Sequence, residues 1–335
     1  MRIPLLIFFL IVRSALIAQT LGGSAVYSFL KLSPAPQLTS AGGVNVSIIG
    51  KDPSMGWHNP ALLRPGMHRQ LAANFTSMYA GIRSGHALGV WHTERLNTTL
   101  GLGVQYMDYG SAVQTDPSGN ILGSFRPNEY AVQASVSRSY LQRWQYGGSL
   151  KFIHSSYGVW RSSALALDMG ITYFDSTGGW QVGFLARNMG LQLRAYDGNG
   201  EDLPFDLQLG ITRRIPRSPF QFSLTAHRLH QFDLIHEDTV FNAAEGINRK
   251  QDTWLNNIFR HAVLAAQILP SDKLEFTIGF NVLRRAELGM ANQTNGLTGL
   301  SFGAGVLLRK MQIRFTRSQY QSNTGFSQFG LNVQL

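Results

Sequence analysis

Nine histidines, nineteen acidic residues and no cysteine set the limits on chemistry in this 335-residue chain. The lack of cysteine removes disulfides, thiolate metal sites, cysteine nucleophiles and cysteine-borne lipid anchors together. The densest group of potential ligands is His227, His230, Asp233, His236 and Glu237. Its spacing is irregular and nothing dictates a common face, so it reads as a hydrophilic strand end and loop rather than a metal site. Gly101-x-Gly103 and Gly303-x-Gly305 lack the following helix that a phosphate cradle needs. They read instead as small positions on the inner face of strands. Ser, His and Asp are all present, but no strained G-x-S-x-G turn occurs. The sequon at Asn97-Thr98-Thr99 matches a glycosylation acceptor by pattern alone. The expectation is a protein with no catalytic residues, no metal site and no cofactor.

The elements that would position any such residues are strands. Charged residues make up 14% of the chain, well below the ~25% usual in soluble domains. Glycine is abundant, at 35 residues, and mean hydropathy is −0.06. This excludes a typical cytosolic enzyme and a helical membrane protein. The 20 Phe, 6 Trp and 11 Tyr exclude disorder. The net charge of +10 is scattered, which argues against nucleic-acid binding. Arg213-Arg214, Arg217, Lys273, Arg284-Arg285 and Arg309-Lys310 fall at expected strand ends. That suits charges at the membrane faces, in contact with lipopolysaccharide or an acidic partner.

Residues 1–18 read as a signal peptide. Arg2 is followed by an apolar run over 3–12, with small Ala15 and Ala18 before Gln19. The run is half of what a membrane helix needs. No later apolar stretch is long enough for such a helix, so a mature protein in a bilayer must cross it as a barrel.

From Gln70 onward the signal has period two. Leu100, Leu102, Val104 and Tyr106 alternate with Gly101, Gly103 and Gln105; Leu274, Phe276, Ile278, Phe280 and Val282 alternate with Glu275, Thr277, Gly279 and Asn281. Fourteen such segments are expected: 71–77, 85–93, 98–109, 130–138, 144–155, 162–174, 179–188, 205–214, 219–228, 261–269, 274–284, 299–308, 311–318 and 326–335. The face opposite the apolar one is Gly, Ala, Ser, Thr, Gln and Asn with few charges, as in a barrel whose outside meets lipid. Every second connection (94–97, 139–143, 175–178, 215–218, 270–273, 309–310) is five residues or fewer, whereas 110–129, 189–204, 229–260 and 285–298 are long. Short turns on one rim and long loops on the other mark an outer-membrane barrel with its ends on the periplasmic side. The fold class expected is all-β: a fourteen-stranded antiparallel transmembrane barrel over 70–335. Residues 19–69, with Tyr27, Phe29, Leu30, Ile48, Ile49 and Trp57, are expected to form a periplasmic or lumenal plug.

The plug carries a resemblance. Segments 22–30 and 38–47 lead into 52–63, where the Asn59-Pro60-Ala61 step resembles the plug motif of the FadL-like fatty acid transporters, fourteen-stranded barrels with an N-terminal hatch. With 103–110, 187–190, 203–210 and 220–227, the set is similar to the PorV/FadL-like barrels of the type IX secretion system. That resemblance implies a non-catalytic barrel in a cell-surface attachment complex. Its partners there would be a PorZ-like surface protein, which it anchors, together with the PorU sortase and the PorV barrel. The complex removes the sorting domain of secreted cargo and links the cargo to anionic lipopolysaccharide. Only Asn59, Pro60 and Ala61 carry over, as structural residues. The loop 229–260, with Phe232, Phe241, Trp254 and Phe259, is expected to be the partner-docking surface, since aromatics are enriched at interfaces. The alternative is a transporter of hydrophobic small molecules, which requires an apolar pocket and a lateral opening or kinked strand.

Overall fold

The computed structural model describes residues 25–234, 254–288, 296–321 and 324–335. The expected signal peptide and the residues His236, Glu237 and Phe241 lie outside these. Among the described residues there are sixteen strands: β1 (Gln70–Ser77), β2 (Arg83–Thr93), β3 (Thr98–Asp108), β4 (Ala112–Thr115), β5 (Ile121–Phe125), β6 (Asn128–Tyr140), β7 (Trp144–Tyr157), β8 (Trp160–Asp175), β9 (Trp180–Arg194), β10 (Asp206–Arg214), β11 (Phe220–Ala226), β12 (Ala262–Ser271), β13 (Leu274–Asn281), β14 (Leu300–Leu307), β15 (Met311–Gln321) and β16 (Thr324–Gln334). Fourteen of them close a barrel, each antiparallel to its neighbours, with β16 returning to β1 from Gln70↔Gln334 to Ser77↔Ser327. Closure leaves no free ladder edge, which hydrocarbon would not tolerate. The short helices are far below membrane-crossing length, and no described helix is long and apolar enough to span.

Alternation explains the outside. Along β3, Leu100, Leu102, Val104 and Tyr106 are 41–57% exposed, while the residues between them are buried. Exposed leucines, valines and phenylalanines recur on the outward phase of the wall strands. An apolar band of this kind is stable only against lipid.

Three features depart from the sequence reading. The connection 109–127 contains the hairpin β4–β5, which forms its own two-stranded sheet. The alternation through Val282 stops at Asn281, and Val282–Leu288 is a helix. The inward face also carries charges: Lys151, Asp168, Arg187, Glu129, Glu275 and Arg314 are all buried.

Residues 25–69 run inside the barrel. Phe29, Leu30 and Trp57 are fully buried against Met107, Ala131, Ile153 and Ala164 of the wall. This segment has only short helical turns, at Ser28–Lys31, Pro36–Ser40, Met55–His58, Pro60–Leu62 and Pro65–Met67. Its backbone therefore needs partners from elsewhere. The inward-facing Gln, Asn and Thr of the wall supply them. Gln328 Nε2 donates to Pro34 O (2.7 Å), Thr316 Oγ1 to Pro36 O (2.9 Å), Asn281 Nδ2 to Gly42 O (3.1 Å), and Gln145 Nε2 to Leu63 O (3.0 Å). Glycines supply room. A Cβ on Gly101 would press on Leu63, and one on Gly303 on Ser40, as expected for lumen-facing positions.

Candidate functional site: the cavity under the long loops

Asn59 organises the lower part of the inner segment. It caps the Pro60–Leu62 turn, its Oδ1 accepting from Ala61 N at 3.0 Å, while its Nδ2 donates to Val46 O at 3.0 Å. Pro60 supplies the fixed φ that starts the turn and leaves no amide unpaired. Asn59, Pro60 and Ala61 are buried against β7 and β8, where Thr172 Oγ1 donates to Ala61 O.

Two charged networks join segment and wall. Arg314 on β15 pairs with Glu275 on β13 and, at 3.4 Å, with Asp52 of the inner segment. Asp52 Oδ1 also accepts from Ser54 N (2.9 Å) and Asn332 Nδ2 (3.0 Å). On the far side, Lys151 pairs with Asp168 at 2.5 Å and donates to Asn188 Oδ1 at 3.1 Å. Asp168 lies opposite a register shift in β9, where Leu167 pairs with Met189 but Met169 with Ala186. Asn188 sits there at φ 57°, so Arg187 and Asn188 both turn inward.

Above these networks lies a cavity of about 900 Å³, open toward the long loops. Its apolar lining includes Leu32, Met78, Met189, Leu203, Phe205 and Leu283. Its cations are Lys31, Arg187, Arg228 and Arg284, and its acids are Asp202, Asp206, Asp233 and Glu287. Two of the arginines are engaged. Arg228 pairs with Glu287 at 3.3 Å, and Arg284 donates to Ser318 Oγ (2.7 Å) and Gly42 O (3.0 Å) with its guanidinium over Tyr320. Arg187 differs. It is 3% exposed, and its Nε and Nη2 have no hydrogen-bond partner among the described residues. Asp168 and Asp206 act on its charge without filling these two positions. Buried N–H groups left without acceptors are costly, so an anionic or strongly accepting group entering the cavity would find ready donors.

A polar chain links this floor to the inner segment. His58 Nε2 donates to Gln208 Oε1 (2.8 Å), and Gln208 Nε2 donates to Asp206 Oδ2 (2.6 Å), whose Oδ1 accepts from Arg228 N (2.6 Å). Burial, reinforced by the Arg187 charge, holds the His58 imidazole well below its usual range and therefore neutral.

Of the aromatics expected to dock a partner, Phe232 is 73%, Trp254 64% and Phe259 60% exposed. Trp254 and Phe259 lie on the helix Trp254–Arg260. Asn257 of that helix holds the segment bearing Phe232, accepting from Leu234 N and donating to Phe232 O. His261 adds a bond to His227 O at 2.7 Å. His227 and His230 line the cavity with Asp233, and no metal-holding group of three occurs among the described residues. The cavity and Arg187 were missed in the sequence. One signal was present: consecutive polar Arg187 and Asn188 interrupt the alternation of β9.

A closed fourteen-strand barrel with an apolar exterior and a filled lumen is a multi-pass outer-membrane β-barrel. No family model matches the chain, and neither does any curated protein. Solved structures do. The TodX monoaromatic hydrocarbon channel (a deltaS2 mutant) aligns with TM-score 0.55 and 12% identity over 90% of this chain and 98% of its own. The CymD monoaromatic hydrocarbon channel aligns with TM-score 0.53 and 12% identity over 91% and 98%. A FadL homologue of Pseudomonas aeruginosa aligns with TM-score 0.48 and 11% identity over 91% and 98%. At such identities TodX and CymD establish a shared fold.

Proposed function

We propose that the chain is a FadL-like, non-enzymatic outer-membrane barrel that admits a hydrophobic small molecule with a polar or anionic end through its long-loop mouth. The observation that carries this reading is the cavity of about 900 Å³, lined by both apolar and charged residues, with the unsatisfied Nε and Nη2 of Arg187 in its floor. Its size suits a small-molecule ligand. The fold shared with two proteins named as hydrocarbon channels supports the same reading. In this arrangement the short turns face the periplasm and residues 25–69 act as the plug. The third strand pairs with both neighbours along Thr98–Asp108, so it offers no lateral gap. The wall is irregular instead at the register shift of β8 and β9, beside Arg187 and Asn188.

A second reading is a PorQ-like anchor of the type IX attachment complex, holding a PorZ-like surface protein beside PorU and PorV, with lipopolysaccharide as the acceptor of cargo. The order of sequence segments supports it, and so do the exposed Phe232, Trp254 and Phe259 on a loop fastened at its base. Affinity purification from outer membranes separates the two. A co-purifying hydrophobic small molecule that is lost in Arg187→Leu, without a stoichiometric protein, is the outcome expected for transport. A stoichiometric surface protein, released by deletion of 238–252, is the outcome expected for anchoring. Retention of that partner by the deletion variant would remove loop docking.

A further inference from the structure

The short-turn rim between β6 and β10 carries an arginine cluster that neither reading uses. Arg138, Arg143, Arg213, Arg214 and Arg217 are all exposed there. The strand ends and turns of this sector (138–146, 171–180 and 211–220) contain one acid, Asp175, and it is occupied in closing its turn by Thr177 N and Gly178 N. None of the five arginines forms an ion pair with a described residue. A solvated surface normally intersperses both signs of charge, so this sector is set apart by what it lacks.

Its geometry points toward the bilayer. Arg138 and Arg213 stand on the outward phase of β6 and β10, in line with Val136 and Ile211 that face lipid. Charge on that face is tolerated only near the interface. Aromatic rings mark the same level: Tyr140, Trp144, Tyr146 and Trp180 are 37–59% exposed. The guanidinium of Arg213 lies 4.3 Å from the Trp180 ring centroid, and Arg143 Nη1 lies 3.4 Å from Tyr173 Oη. Rings of this type sit at headgroup depth. β6 to β10 are consecutive in the wall, so the cluster spans four strand spacings, roughly 19 Å.

We infer that this sector is a binding site for an anionic phospholipid in the leaflet beside the short turns. The arginines take the phosphodiester, and the rings flank its glycerol region. Arginine rather than lysine fits that chemistry, because its planar fork grips phosphate oxygens in pairs.

The test uses the full-length barrel released from membranes and titrated with phosphatidylglycerol, phosphatidylethanolamine or lipopolysaccharide, with bound lipid read by native mass spectrometry. Phosphatidylglycerol is expected to be retained about 10-fold over phosphatidylethanolamine. The variant Arg138→Gln/Arg143→Gln/Arg213→Gln is expected to erase that preference, while Arg309→Gln/Lys310→Gln on the opposite sector leaves it unchanged. Heat-modifiable gel migration checks that each variant is folded, and Arg213→Gln alone serves if the triple variant is not. Equal retention of the two phospholipids would overturn the assignment. So would preferential retention of lipopolysaccharide, an unchanged preference in the triple variant, or equal losses in both variants.

Discussion

The lumen is packed at its short-turn end and open at its long-loop end, and different residues build the two halves. Near the short turns, wall backbone meets plug backbone. A Cβ on Gly147 would strike Pro60 and Ala61, one on Gly170 would strike Asn59, and one on Gly183 would strike Val46 and Ser47. Near the long loops, arginines, acids and apolar side chains surround a cavity. The missing side chains seat the plug, and the long ones hold a space above it. The two buried arginines sharpen this contrast: Arg314 is paired with two carboxylates, and Arg187 has no hydrogen bond to its Nε or Nη2.

The largest effect is expected from Arg314→Met. It leaves Asp52 and Glu275 buried without their cation, a loss of about 3–5 kcal/mol, visible as a lower urea midpoint in refolded vesicles. Adding Asp52→Asn and Glu275→Gln should restore most of it, and no recovery would mean that the network is not what Arg314 supports. Next comes Gly183→Val, expected to cost ~1–3 kcal/mol by overpacking and to expose residues 25–69 to protease. Asn59→Ala removes a cap and a bond to Val46 O, and about 1–2 kcal/mol of stability should go with it. Arg187→Leu is the opposite case to Arg314→Met. Stability should stay within ~1 kcal/mol or rise, while any cavity ligand is lost; a destabilisation equal to that of Arg314→Met would erase the distinction between the halves. The smallest effect is Gly85→Ala, where a Cβ meets nothing within 4 Å. It should shift stability by less than ~0.5 kcal/mol, which makes it the control for Gly183.

The wall was legible in the sequence because lipid imposes one rule on every strand. The alternation of Leu100 to Tyr106 gives phase, and the turn spacing gives count. Where that rule ends, the reading ended too. Val282 keeps the apolar phase but begins a helix, since beyond Asn281 the chain leaves the ladder. The hairpin Ala112–Thr115 with Ile121–Phe125 lies outside the barrel, where no lipid enforces a period. The inward charges were visible as residues but not as pairs. Lys151 and Asp168 are on the polar phase of neighbouring strands, and only the register Ser149↔Asp168 brings them into reach. Asn59 was legible through its motif. Arg187 needed the register shift in β9, which consecutive polar residues signal but do not locate. Phe232, Trp254 and Phe259 are exposed, as residues of a long polar loop would be, and Phe241 lies outside the described residues.

The path of the plug has a mechanical side. Its first described residue, Ala25, bridges to Asp202 in the loop after β9, and its other end runs into β1 at Gln70, where Leu335 N donates to Arg69 O. Among its described residues the segment is thus covalently tethered at the short-turn rim and held elsewhere by hydrogen bonds, apolar packing and the Arg314–Asp52 ion pair. A pull at that rim loads the contacts of Asp52 and Leu63 before those of Tyr27, so they release in turn, as in peeling tape. A pull from the mouth loads the contacts of Tyr27 first and those of Asp52 and Leu63 last, and ends against the tether. The same contacts therefore release in opposite orders under force from the two sides of the membrane, with the join to β1 the last attachment in either case.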